Sequence, residues 1–314
     1  MLGIYGIKVC EKITVLFIAM IFGYIAGKSK ILDGRSTKAL SGLLAYITNP
    51  CLIVASLQEA PESSVIVLAG KVFIMSMIIH AAMIFVSRLA FIHVKDAKQR
   101  SVYSFALMYM NCGYMGYPIM QAIFPDYGLL YGVVYTIPFN LFTWTHGVAL
   151  MNTGEKQKTD YKKIFLNPGI LSTLLGALLF VSGIRFPIVV TEGIDMVGGM
   201  TFPLSMIIIG SLMSEIKFTD MFKNVKILLF SFIKLVLVPL AMLGICLLAG
   251  SSFDFTLSIV CVTMCASPAA ANTAVLAEVY DSDSTLAAKL VGVSTLFCLI
   301  TMPALLILAE NLLK

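Results

Sequence analysis

Carboxylates are missing where buried ion chemistry would need them: no Asp or Glu occupies the middle of any long apolar run in this 314-residue chain. A sodium–proton antiporter trades cations through such buried acids, so that reading lacks its residues. HExxH, GxSxG and paired Asp-rich metal motifs are absent too, which leaves an intramembrane enzyme without a nucleophile or a metal cage. Charge of either sign is scarce, at 12% of residues against roughly 25% in a soluble domain. CxxC is also absent, and no His accompanies the seven cysteines at ligand spacing. All but Cys10 fall in apolar stretches, where a thiol reads as a small buried hydrophobe. No metal and no cofactor is expected.

What is present is hydrophobic surface. Apolar residues make up 59% of the chain and mean hydropathy is +0.94, the composition of an integral membrane protein whose first partner is the lipid bilayer. The formal net charge of +5 comes from lysines in short loops rather than a basic face, so no nucleic-acid partner is expected. The amino-terminal apolar run has no cleavage pattern and reads as a first span. A crossing helix takes about 20 apolar residues. Ten such spans are expected, at 11–27, 38–58, 64–92, 101–124, 128–151, 165–184, 193–214, 222–249, 255–279 and 285–311.

Loop charge alternates. Lys28, Lys30, Arg35 and Lys38 follow span 1; Lys95, Lys98 and Arg100 follow span 3. Lys156, Lys158, Lys162 and Lys163 follow span 5, and Lys217, Lys223 and Lys226 follow span 7. The loops after spans 2, 4 and 8 carry only acids (Glu59, Glu62, Asp126, Asp254), and Arg185 stands alone after span 6. The positive-inside rule puts the basic loops in the cytoplasm and both termini outside the plasma membrane. The loop after span 9, with Asp281 and Asp283, falls on the basic side by count yet is acidic.

Two apolar spans are broken at matching places: Asn111-Cys-Gly-Tyr-Met-Gly-Tyr-Pro118 and Ala266-Ser-Pro-Ala-Ala-Ala-Asn-Thr273. Each proline removes a backbone donor and crowds the carbonyl four residues back, here Tyr114 and Met264. Irregular backbone survives in hydrocarbon only against protein or a wet cavity. Pro118 and Pro268 are 150 residues apart, Pro50 and Pro203 are 153 apart, and His80 and Lys234 are 154 apart. These offsets favour a five-helix repeat, residues 1–152 and 164–314. Five is odd, so the second copy is inverted, and the site is expected at the midplane between halves.

Gly113 and Gly116 let the chain leave helical angles before Pro118, and Ser267-Pro268 with three alanines does so in span 9. The half-helices that follow present free N–H groups and positive dipole ends, which suit a carboxylate. Asn111, Ser267, Asn272 and Thr273 supply side-chain donors and acceptors; for Asn111 and Asn272, repair of broken backbone is an equal alternative. Lys234 lies about 13 residues, roughly 20 Å, into span 8 and either balances an anion or ties freed carbonyls. His80 is as deep in span 3; with an unperturbed pKa of about 6.5 it can carry a proton. His146 is a second proton candidate or a packing residue, and Lys71, about 10 Å deep, is a charge candidate or snorkels to the interface. The deep charges are basic, which favours an anionic cargo.

Five segments resemble the auxin efflux carrier family, including its short bacterial members: NCGYMGYPIMQAIF (Asn111–Phe124), FNLFTWTHG (Phe139–Gly147), NPGILS (Asn167–Ser172), MTFPLSMIIIGS (Met200–Ser211) and SPAAANTAVLAEVY (Ser267–Tyr280). The resemblance implies an all-α membrane fold of ten helices in two inverted halves, with broken helices 4 and 9 crossed. It implies a scaffold of helices 1, 2, 6 and 7, a homodimer face through helices 2 and 7, and a moving unit of helices 3–5 and 8–10. Substrate would lie beside the crossing, at Asn111, Pro118, Pro268 and Asn272, and move by an elevator mechanism. Family members carry auxin or small carboxylates such as malate and malonate. Plant auxin exporters often have a long hydrophilic loop between halves; here only Asn152 to Lys163 joins them, which favours a bacterial dicarboxylate carrier. The expectation is a secondary transporter of small organic anions. A bile-acid-type sodium symporter is the runner-up, and a membrane enzyme or a receptor without transport is further off.

Overall fold

The computed structural model describes residues 4–58, 62–152, 168–214 and 224–314. Glu59, Lys156, Lys158, Lys162, Lys163, Asn167, Lys217 and Lys223 lie outside the described residues. Within them all regular structure is helical. Six helical segments are long and apolar enough to cross a membrane: Lys8–Lys28, Gly34–Ser56, Ser63–Ala90, Ile188–Ser214, Val225–Ser252 and Ser284–Leu313. Their outward faces carry exposed Phe22, Phe85, Met196 and Leu248, as lipid contact requires.

The helices run α1 Ile4–Lys28, α2 Gly34–Leu43, α3 Asn49–Ser56, α4 Ser63–Ala90, α5 Ala97–Met108, α6 Tyr117–Ile123, α7 Gly128–Phe142 and α8 Val148–Met151. They continue as α9 Pro168–Ser182, α10 Ile188–Gly199, α11 Thr201–Ser214, α12 Val225–Phe232, α13 Val238–Ala249, α14 Phe255–Ala266, α15 Asn272–Val279 and α16 Ser284–Leu313. The stretches expected to cross at 101–124 and 255–279 are each split, into α5 and α6 and into α14 and α15. The stretch expected at 193–214 starts earlier, at Ile188, because Ile188-Val-Val joins the apolar run.

Four single π-helical turns interrupt the rods, at Leu44–Thr48, Cys112–Gly116, Thr143–Gly147 and Ile233–Leu237. Three end just short of Pro50, Pro118 and Pro239. The cause is local. A proline offers no N–H to the carbonyl four residues back and its ring presses on that turn. The backbone widens instead: Asn49, Tyr117 and Val238 donate their N–H five residues back, to Leu44, Cys112 and Ile233.

Packing between α1 and α11 is backbone against backbone. A Cβ on Gly210 would fall 2.0 Å from the Met20 carbonyl oxygen, and one on Gly23 would fall 2.2 Å from that of Ile207. Lipid gives helices no hydrophobic reason to associate, so close van der Waals approach through small residues supplies it. Thr37 and Ser211 hydroxyls, 3.0 Å apart, bring α2 to the same seam.

Contacts between chain ends sort the loops into two sets. Lys98 donates to Asp281 at 2.8 Å and Gln99 to Asp283 at 3.3 Å. The acidic loop after α15 therefore pairs with a basic one, which explains its charge. The bond from Lys98 lowers the Asp281 carboxyl below its ordinary value. Elsewhere Lys71 of α4 meets Asp254, the N-cap of α14, at 3.7 Å, and Lys314 covers the Phe255 ring at 5.9 Å.

Gly210→Leu is expected to drive α1 and α11 apart and destabilise the protein by about 3 kcal/mol or more. Gly42→Ala, where a Cβ meets nothing within 4 Å, is expected to be neutral or stabilising by up to about 1 kcal/mol. Thermal unfolding of the detergent-solubilised variants, read side by side, checks the pair.

Candidate functional site

Where α5 and α14 stop, the two breaks pair with each other. The Asn111 N–H donates to the Pro268 carbonyl at 2.8 Å and the Ala270 N–H to the Tyr109 carbonyl at 3.0 Å. Met110 and Ala269 thus form one rung of antiparallel bridge. The remaining freed groups find side chains. Ser267 Oγ donates to Thr263 O at 3.2 Å, Ser294 Oγ accepts from the Ala269 N–H at 3.1 Å, and the Met264 carbonyl takes the Ser267 N–H at 3.2 Å. A buried backbone group without a partner is costly, and in lipid no water supplies one.

Lys234 belongs to this repair. It is fully buried, 0% exposed, and its Nζ donates to the Leu107 carbonyl at 3.0 Å. In an unbroken helix that carbonyl would serve the Asn111 N–H, which has gone to Pro268. An ammonium at the C-terminal end of α5 also faces the negative end of the helix dipole. Of the two roles open to Lys234 in the sequence, the geometry has it tying a freed carbonyl.

Beside the bridge lies a cleft of about 60 Å³, room for roughly four waters at about 15 Å³ each. Four carboxamides line it: Asn49 at the start of α3, Asn111 at the first break, Asn140 on α7 and Asn272 at the start of α15. Asn111 is 3% exposed, and its Nδ2, like Asn49 Oδ1, is buried without a hydrogen-bond partner. Tyr117 and Thr136 hydroxyls pair in the wall. Among the described residues, no charged side chain lines the cleft.

Of the residues singled out from sequence, Asn111, Gly113 and Asn272 reach this cleft. A Cβ on Gly113 would meet only the Tyr117 ring, at 4.0 Å, so the position holds open space. Gly116 serves packing: a Cβ there would lie 2.8 Å from Met264 Sδ. Pro118, Ser267 and Pro268 shape the breaks, and Thr273 is buried with its Oγ1 unpaired. His80 stands one layer behind. Its Nδ1 lies 2.7 Å from the Ser76 carbonyl and Nε2 is buried without a partner. Its ring stacks on Phe142 at 5.9 Å and meets Phe139, a cleft residue, edge-on. His146 Nδ1 is 3.3 Å from the Tyr109 hydroxyl, outside the lining. Lys71 is at the surface with Asp254 and does not come to the cleft.

Asn49, Asn140, Tyr117 and Thr136 line the cleft without having been singled out, and Tyr114, Ala270 and Ala271, named only as parts of the breaks, line it too. Signals existed for some of them. Asn49 precedes the matched Pro50, and Asn140 is a carboxamide in an otherwise apolar run.

Lys234→Met leaves the Leu107 carbonyl buried without a donor, so stability is expected to fall by about 1–3 kcal/mol while substrate affinity stays within twofold. A melting curve with a binding isotherm decides it: lost affinity at unchanged stability would mean that the lysine serves the cargo.

Two stretches of the chain, 8–161 and 153–306, match the family model described as membrane transport protein. An uncharacterized transporter of Methanothermobacter thermautotrophicus is 25% identical over 301 residues, 93% of this chain and 96% of the relative. An uncharacterized transporter of Methanocaldococcus jannaschii is 22% identical over 210 residues, 64% and 67% of the two chains. With spans long enough to cross a bilayer and two broken helices meeting inside the fold, the chain belongs to the membrane transport protein family, which includes the auxin efflux carriers and PIN-like proteins.

Proposed function

We propose that this protein is a secondary transporter of small organic anions, with carboxylates of the malate or malonate kind as the cargo class. The observation that carries the reading is the bridge between the two breaks with an amide-lined cleft at its side. Carboxamide N–H groups and the opening turn of α15 at Asn272 offer donors and a positive dipole end to a carboxylate. Substrate contacts are assigned to Asn111 and Asn272, with Asn49 and Asn140 completing the ring. Gly113 provides room, while Gly116, Pro118, Ser267, Pro268 and Thr273 hold the shape. His80 is assigned as the candidate proton-carrying group, standing behind the cleft against Phe139.

In this reading ten spans form two inverted five-helix repeats, and alternating access is of the elevator type. Spans 1, 2, 6 and 7 stay fixed, with spans 2 and 7 at a homodimer face, and spans 3–5 and 8–10 move. Two features support the division. Glycines lock α1 to α11 backbone to backbone, as a fixed frame requires. The cleft has Asn49 from span 2 on one side and residues of spans 4, 5 and 9 on the other, so cargo sits at the boundary that slides. The chain lies in the plasma membrane with both termini outside, a reading that rests on loop charge and agrees with the pairing of the Lys98 and Asp281 loops on one side.

A sodium-coupled symporter is the second reading. What favours it is the neutral lining: carboxamide oxygens without a competing cation could ligate sodium.

Asn111→Ala and Asn272→Ala are each expected to cut proteoliposome transport at least tenfold without loss of folded protein; full transport in both removes the cleft as the site. A thermal-shift panel of mono- and dicarboxylates and indole acids is expected to pick out a short dicarboxylate, stabilising by about 2.7 kcal/mol at a hundredfold excess over Kd. Transport is expected to be indifferent to sodium, and a steep sodium dependence selects the second reading.

A further inference from the structure

Far from the bridge, on the side of the basic loops, is a second and larger cavity of about 530 Å³. It lies between the end of α4, the first half of α5 and the start of α12. Its character changes with depth. The floor is an aromatic trio: Phe91 stacks on Tyr103 at 5.2 Å, and Phe230 completes the set at 5.9 Å from Tyr103. Leu229 and Ile233 extend the apolar wall along α12. The rim carries Lys95, Lys226 and the His93 imidazole. Among the described residues neither Lys95 nor Lys226 forms an ion pair. The acid in the lining is Asp96, and its Oδ1 already accepts the Gln99 N–H at 3.0 Å as the cap of α5. Nearby Lys98 is committed to Asp281.

The cavity opens sideways to lipid. Leu229, in its wall, is 57% exposed, and its neighbour Val225 is 74% exposed on the same outward stretch of α12. Ile92, beside the rim, is 62% exposed. The basic loops mark this level as the headgroup zone of one leaflet. A soluble anion would use the rim and leave the aromatic floor empty; an uncharged lipid would use the floor and leave two lysines without a partner.

We infer that this cavity is a binding site for a phospholipid with an anionic headgroup, its phosphate held by Lys95, Lys226 and His93 and the upper part of a chain laid on Phe91, Tyr103 and Phe230. The volume falls within the roughly 300–1,000 Å³ of small-molecule sites, and basic pockets between transmembrane helices at this level suit anionic headgroups. The occupant touches α5 and α12 together. Deeper down, α5 is tied to the π turn that follows α12 by the bond from Lys234, next to Ile233, to the Leu107 carbonyl. A bound lipid therefore braces the helix that ends at the first break.

The test uses the delipidated full chain in detergent. Native mass spectrometry with short-chain phosphatidylglycerol and phosphatidylcholine, and thermal shift with inorganic phosphate, read binding. One phosphatidylglycerol per chain is expected, at least tenfold tighter than phosphatidylcholine, and phosphate alone is expected to give no shift. Lys95→Gln with Lys226→Gln is expected to weaken phosphatidylglycerol by tenfold or more, whereas Lys30→Gln with Lys38→Gln, on a separate basic loop, leaves it unchanged. Ala90→Trp, which fills the cavity without altering charge, is expected to block binding; it carries the decision if the double lysine variant does not fold. Equal affinity for the two lipids, phosphate binding as tightly as lipid, equal losses in both lysine pairs, or full binding in Ala90→Trp overturns the site.

Discussion

Everything at the centre of this protein follows from one constraint: a backbone that leaves the helix inside hydrocarbon must find a partner for each group it frees. Two rods break at depth, and the cheapest partners are each other's. The two backbone hydrogen bonds between residues 109–111 and 268–270 settle the middle of both breaks. Ser267, Ser294 and Lys234 take groups that the bridge leaves over. Side chains that a soluble protein would spend on solubility are spent here on hydrogen bonds to the chain itself.

This repair divides the labour of the buried polar residues. Lys234 and His80, the two deep basic groups, stand behind the cleft rather than in it. The cleft is lined by neutral carboxamides, hydroxyl groups and bare backbone. In the proposed role, neutral donors with helix ends would hold an anion without the deep trap that a buried ion pair creates, and a carrier must release what it binds. Around this core, the glycine seam between α1 and α11 gives a rigid frame, and π turns at prolines bend the rods without leaving carbonyls bare.

Much of this was legible in the residues. Spans of about 20 apolar residues, loops of alternating charge and proline-broken segments are local features, and each has one physical cause that operates wherever it occurs. Asn111, Gly113 and Asn272, which line the cleft, stand out that way as polar groups and a glycine beside a membrane proline, though sequence left backbone repair equally open for the two asparagines. For Lys71 the sequence left a charge role and snorkelling open, because depth along a helix is readable and direction is not; the side chain turns outward to Asp254. Asn49 and Asn140 gave weaker signals because each is a single amide whose worth depends on what stands opposite.

The sequence by itself determined that the chain lives in a membrane, where its helices run and where two of them must break, since hydropathy and proline geometry act over a few residues. Only the tertiary structure decided which break pairs with which, that Lys234 from the second half caps a carbonyl of the first, and that four asparagines from four separate elements close on one cleft. Those are meetings between residues roughly 30 to 220 positions apart, set by the packing of whole helices, and no short-range rule contains them.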